Sequence, residues 1–502
     1  MSTLFQTLLS QLRRRCAVRD VVLACLLVPC GVVSAASPPA RLPETALGRI
    51  GAALITHVNT DRPEALRAWL PTQLSSALGA REQAQFVEQL VSAARDSGGV
   101  EVIDVGEPPG LLVLTLKARR APRWALLVLG ADPKQPSRLA QAELVASDDP
   151  ALYAAWPRTA VSHEKLAALI RSTLDQWARN NDFSGCVSVL AQGRTVFDEC
   201  RGLAERSFGV AVDRQTRFHV GSINKMFTAV AIAQLVEAGK LSWDTTLAKA
   251  VPEYPDAAAA RAITVWQLLH HTAGLGDYLV PEYFQQRERY VQPADYLELI
   301  ARQPRTGVPG AAWSYSNAGY MLLGRIIEKA SGERYADYIQ RHVFAPAGMH
   351  DSGFDNVEDV VPKLAVGYFR DGVFARDWKA AWLKVGYQAG PAGGGYSTNA
   401  DLLRFAQALR AGTLLTPATL TRMFKDGVPA GPGLYLAGFG ERVAHGRHIR
   451  GHAGGIEGTD ANLQVVWETG AAVALTSNQG YAESWMLAER VADLLAMSAA
   501  AP

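Results

Sequence analysis

Strand patterns stand at both ends of the last two thirds of this chain, and helical patterns fill the space between them. At the front, residues 186–191 and 195–200 flank a Gln192-Gly193 turn and read as a hairpin. At the back, residues 463–467 and 471–476 are apolar and strand-like. The simplest assembly joins the first and last segments in one antiparallel sheet and covers it with helices. One of those helices precedes the hairpin, where Leu166, Leu169, Ile170, Leu174 and Trp177 form a single stripe. Across the hairpin turn, Cys186 and Cys200 fall opposite each other or one residue off, close enough for a disulfide. A bridge and two buried free thiols both fit the sequence.

The N-terminal third is organised differently. Arg13, Arg14, Arg15 and Arg19 precede an apolar run over residues 21–36 that ends in Ser34-Ala35-Ala36, the layout of a signal peptide. Residues 1–36 are therefore expected to be a leader, and the protein to be exported to a periplasm or secreted, with no membrane span left after cleavage. Leu47, Ile50, Leu54 and Val58, then Phe86, Leu90 and Ala94, repeat at helical spacing up to Gly98-Gly99. Strand-like segments follow at residues 100–105, 111–117 and 124–129. Residues 37–157 thus read as a small α+β domain of unassigned role, and residues 158–502 as the main domain, starting after Pro157.

Composition excludes several classes. The chain has 502 residues, 48% apolar and 20% charged, which is ample for a large core. Its net charge of +2 carries no nucleic-acid footprint. Without the leader, which takes four Arg and one Asp, the charge falls to about −1. Of five Cys, only Cys186 and Cys200 lie outside the leader, so this is not a disulfide-built scaffold.

The chemistry is concentrated in three short elements. Gly221-Ser222-Ile223-Asn224-Lys225 opens an apolar stretch, residues 226–235, that reads as a buried helix. Positions three apart share a helix face, so Ser222 and Lys225 are expected to be neighbours. A Ser hydroxyl needs a base to become a nucleophile, and a buried Lys can lose enough proton affinity to be that base. In Trp313-Ser314-Tyr315-Ser316-Asn317, a Tyr and an Asn two apart on a loop can both face a cleft. The phenol can relay protons, and the amide can hold a substrate carbonyl or Lys225. Gly451-His452-Ala453-Gly454-Gly455 precedes the C-terminal strand pattern, and its glycines admit close approach to the backbone. The N–H groups of Gly455 and Ser222 are candidate oxyanion donors.

Ser-x-x-Lys, Tyr-x-Asn and His-x-Gly, in this order, resemble the serine β-lactamase and penicillin-binding protein superfamily. Residues 268–275 (Leu-Leu-His-His-Thr-Ala-Gly-Leu), 237–242, 320–328 and 393–398 are similar to family segments as well. The likeness runs over roughly residues 165–495 and is nearest to class C β-lactamases, D-amino-acid peptidases and related esterases. It implies a β-lactamase-like α+β fold and a serine hydrolase working through an acyl-enzyme. Ser222 would be the nucleophile, Lys225 its activator and Tyr315 the proton donor to the leaving group. Asn317, His452, Gly454 and Gly455 would hold the substrate. His452 stands where such β-lactamases usually carry Lys, which favours esters and D-amino-acid amides or peptides over β-lactams.

No cofactor and no metal are expected. His270 and His271 are adjacent and face different ways, His163-Glu164 lacks a second His four residues on, and His445 and His448 fit a surface turn. The expected partner is a small-molecule or peptide substrate; the oligomeric state is not legible. The alternative is a non-turnover penicillin-binding or sensor protein of the same fold.

Overall fold

A computed structural model describes residues 40–60, 62–480 and 484–498. The expected leader lies outside them. The chain separates into two compact units, one built from the residues up to Trp156 together with Arg370–Lys379, the other from Pro157–Phe369 and the residues from Ala380 onward.

In the first unit, α1 (Ala46–Asn59) and α2 (Ala80–Ser97) precede a four-stranded antiparallel meander. Its strands are β1 (Val100–Gly106), β2 (Leu111–Ala118), β3 (Trp124–Asp132) and β4 (Gln135–Ser147), in chain order. Ile50, Leu54 and Val58 of α1 and Phe86, Leu90 and Ala94 of α2 are buried together with Leu112, Leu114, Leu127 and Leu144 of the sheet. Gly98 ends α2 in the left-handed region, at φ 65°. The sequence pattern missed β4, the longest strand, because its apolar positions are interrupted by Gln, Arg and Glu that face outward. It also gave no sign that residues 370–379 join this unit, where Phe374 is buried in the core.

The second unit contains an eight-stranded antiparallel sheet. Its members are β5 (Gly185–Ala191), β6 (Arg194–Arg201), β7 (Val428–Ala430), β8 (Gly433–Tyr435), β9 (Gly440–Ala444), β10 (Arg447–Ile456), β11 (Thr459–Val466) and β12 (Ala471–Ser477). The spatial order is β7-β8-β9-β10-β11-β12-β5-β6, so the last strand of the chain pairs with the first hairpin of the unit. Every residue of β5, β11 and β12 is buried, as a sheet covered on both faces requires. The covering helices include α3 (His163–Arg179), α6 (Asn399–Arg410) and α7 (Ser484–Met497). Cys186 and Cys200 are direct cross-strand partners, and their sulfurs are bonded.

Two more helices build the site. In α4 (Asn224–Glu237), residues 224–233 and Leu235 are buried, because the helix is apolar on all sides and lies within the main core. In α5 (Asn317–Ser331), the Ser316 side chain accepts the Gly319 N–H as the cap. The third motif, expected just before the C-terminal strand pattern, lies inside a strand itself, β10. No helix among the described residues is long and apolar enough to cross a membrane.

Candidate active site

Ser222 sits in a single 3-10 turn, Gly221–Ile223, that leads directly into α4. Gly221 has φ 51°, and a Cβ there would come within 2.9 Å of the Gly455 backbone nitrogen. Gly454 is tighter still, since a Cβ would fall 1.9 Å from the Val220 carbonyl and 2.9 Å from the Ser222 nitrogen. The two glycines let β10 run against the turn, bringing the backbones of Ser222 and Gly455 together.

Lys225 is fully buried one turn along. Its Nζ lies 3.1 Å from Ser222 Oγ, 2.9 Å from Asn317 Oδ1 and 2.5 Å from the Ala392 carbonyl. Tyr315 donates its hydroxyl to Ser222 Oγ at 2.8 Å. Burial lowers the Lys225 pKa to about 7, against an opposing pull from Asp277. Neutral amine is thus available near physiological pH. The residues at 390–392 are pinned by α4: their three successive carbonyls accept from Asn224 Nδ2 (3.1 Å), Thr228 Oγ1 (2.8 Å) and Lys225 Nζ.

Asn317 is the first residue of α5, not part of the loop, and its position rests on Asp277. The Asp277 carboxylate accepts the Asn317 backbone N–H at 3.2 Å and Nδ2 at 3.0 Å. Asp277 was not singled out in the sequence. A signal was present, because it is the lone carboxylate between Arg261 and Glu282.

His270 and His271 do face apart. His270 lies on the Trp266 ring with Nδ1 on the Trp266 carbonyl. His271 enters the site, its ring 4.3 Å from that of Tyr315 and 4.5 Å from that of Tyr435. Its Nδ1 accepts the Ser316 N–H, and its carbonyl accepts the Ser314 N–H. These two bonds bracket Tyr315 and fix the loop that presents it. Burial holds the His271 pKa well below its ordinary value, so the ring is neutral.

His452 Nδ1 faces the Ala453 carbonyl at 2.5 Å and must carry a proton there. Its Nε2 lies 3.0 Å from the Tyr435 hydroxyl, which donates to it when the ring is neutral. The imidazole stands beside Tyr315, ring centres 6.4 Å apart. His448, in β10, is paired with Glu468 of the turn after β11, and His445 occupies the turn before β10. No group of three or more His, Cys, Asp or Glu that could hold a metal occurs among the described residues.

The site combines a buried amine, a hydroxyl, a phenol and closely apposed backbone, the parts of an acylating serine centre. A beta-lactamase family model matches residues 168–497. The chain belongs to the beta-lactamase family. Among relatives of this family member, penicillin-binding protein 4 of Amycolatopsis lactamdurans is 30% identical over 302 residues, covering 57% of this chain and 78% of its relative. Esterase EstB of Burkholderia gladioli is 30% identical over 308 residues, covering 53% and 78%. The crystal structure of a penicillin-binding protein from Bacillus halodurans superposes with a TM-score of 0.56 at 28% identity, covering 63% of this chain and 98% of the other. This beta-lactamase family member is a β-lactamase-related serine hydrolase.

Proposed function

We propose that the chain is an exported serine hydrolase that acts through an acyl-enzyme at Ser222. Its substrates are esters first, then D-amino-acid amides or peptides, then β-lactams. The observation that carries this reading is the convergence of Lys225 Nζ and the Tyr315 hydroxyl on one oxygen, Ser222 Oγ. Ser222 Oγ attacks the substrate carbonyl as its proton passes to Lys225. The N–H groups of Ser222 and Gly455 receive the developing oxyanion. As the bond to the leaving atom breaks, Tyr315 protonates that atom, and the proton held on Lys225 restores the phenol.

The preference for uncharged substrates rests on His452. An imidazole bonded to the Ala453 carbonyl and to Tyr435 replaces a fixed cation, so a substrate carboxylate gains little there. The name of esterase EstB points the same way. Export rests on the N-terminal Arg-rich and apolar pattern, and the Cys186–Cys200 bridge fits an oxidising compartment.

The test is covalent labelling with a fluorophosphonate or a fluorescent penicillin, alongside turnover of p-nitrophenyl esters, D-alanyl amides and a chromogenic cephalosporin. Ser222→Ala should lose all labelling, and Lys225→Ala should slow acylation by about 10²-fold or more. Undiminished labelling of Ser222→Ala sinks the reading. Penicillin-binding protein names among the relatives favour a second one, a protein that acylates but hardly turns over. A burst without steady turnover on every substrate class would select it.

A further inference from the structure

We propose that Asp277 is a positioning residue for the reaction: through the side-chain amide of Asn317, it turns the lone pair of Lys225 onto Ser222. The inference rests on the Ser222–Lys225 reading above and goes beyond it. Asp277 is buried, with 9% exposure. Its Oδ2 accepts both N–H groups of Asn317, backbone and Nδ2, and its Oδ1 accepts the Leu279 N–H at 3.3 Å. All three partners are donors, so both oxygens act as acceptors; burial pushes the Asp277 carboxyl up, and these donors together with Lys225 pull the other way, toward the ionised form.

The consequence falls on Lys225. Because Asn317 Nδ2 is committed to Asp277, Oδ1 is the atom that faces the amine, at 2.9 Å. The Ala392 carbonyl is a second acceptor that cannot donate. A neutral amine has two N–H groups and one lone pair. The two N–H groups go to these two oxygens, and the lone pair is left for Ser222, the one partner of the three that can give a proton. Were the Asn317 amide turned over, Nδ2 would point at the amine and compete for that lone pair. One carboxylate therefore decides whether Lys225 is oriented as a base.

Asp277 also acts on Lys225 by charge. The groups acting on the Lys225 amine are the Tyr315 and Tyr320 rings, His271 and Asp277. His271 is neutral, and the negative charge of Asp277 opposes the effect of burial on the amine. Removing that charge lowers the proton affinity of Lys225 further.

The experiment compares full-length wild type, Asp277→Asn and Asp277→Ser, with Ser222→Ala as the control. Fluorophosphonate labelling rates and p-nitrophenyl ester kinetics are followed from roughly pH 5 to 9, with thermal melts in parallel. Both Asp277 variants should stay folded and label at Ser222 at least about tenfold more slowly, with KM changed by less than about threefold. The acid limb of the rate profile should move to lower pH, a shift that a merely structural role does not produce. A wild-type rate with an unmoved limb overturns the proposal. So does failure of both variants to fold, since Asp277 would then serve the fold and not the amine. Labelling that survives in Ser222→Ala would instead remove the underlying assignment of the nucleophile, so the two failures are told apart.

Discussion

Lys225 shows how burial and hydrogen bonding divide the work at a single residue. Desolvation brings its pKa down to about 7, while the oxygens of Asn317 and Ala392 set where its hydrogens point. An ordinary exposed lysine would be cationic at that pH and have no lone pair to offer. The sign of the pH dependence follows. Below about pH 7 the ammonium predominates and acylation of Ser222 stalls; above it the free amine accumulates and the rate rises. The acid limb of kcat/KM for an uncharged ester should therefore have an apparent pKa near 7, read from initial rates across pH. A limb near 10 would mean that burial does not reach this amine. The spacing of Ser222 and Lys225 was legible in the sequence because three positions of helix or tight turn are a local matter. Asp277 was not, because its contact with Asn317 spans 40 residues and depends on how two segments meet.

At the scale of elements, β10 fits tightly against the turn that carries Ser222. A methyl group on Gly454 has no room against the Val220 carbonyl, so the strand must move away from the turn. Gly454→Ala should leave most of the far-UV circular dichroism intact and lower kcat/KM by about 10²-fold, the loss typical of an oxyanion donor. Full activity in that variant would show that the apposition of β10 and the turn does not matter. The β5–β6 hairpin makes a different prediction. Its disulfide closes a loop with a sequence separation of 14, and opening it with reductant should cost about 3 kcal/mol on the chain-entropy account. Urea unfolding with and without reductant measures this. The hairpin turn and its alternating pattern revealed the register to within one residue. Bond formation between the sulfurs needed the actual pairing.

For the whole molecule, chain order and spatial order part company in two places. The sheet of the second unit is closed by β12 against β5, almost 300 residues apart in sequence. Residues 370–379 leave that unit and place Phe374 in the core of the first. Phe374→Ala should destabilise the first unit by about 3–5 kcal/mol, as truncation of a buried ring does. Calorimetry should show the loss in one transition, while labelling of Ser222 at low temperature stays near wild type. Loss of labelling in step with unfolding would mean that the two units are not separable in stability.

The amino-acid sequence by itself determined the fold family, the sheet joined from both ends of the main domain, the largely buried helix behind Ser222 and the three motifs of the site. Each of these is written in local periodicity or in residues a few positions apart. Tertiary structure alone decided the orientation of the Asn317 amide by Asp277, the clamping of Tyr315 by His271, the Ala392 carbonyl as a partner of Lys225 and the excursion of residues 370–379. These depend on contacts between distant segments, where direction and distance are set by packing, and no local pattern carries that information.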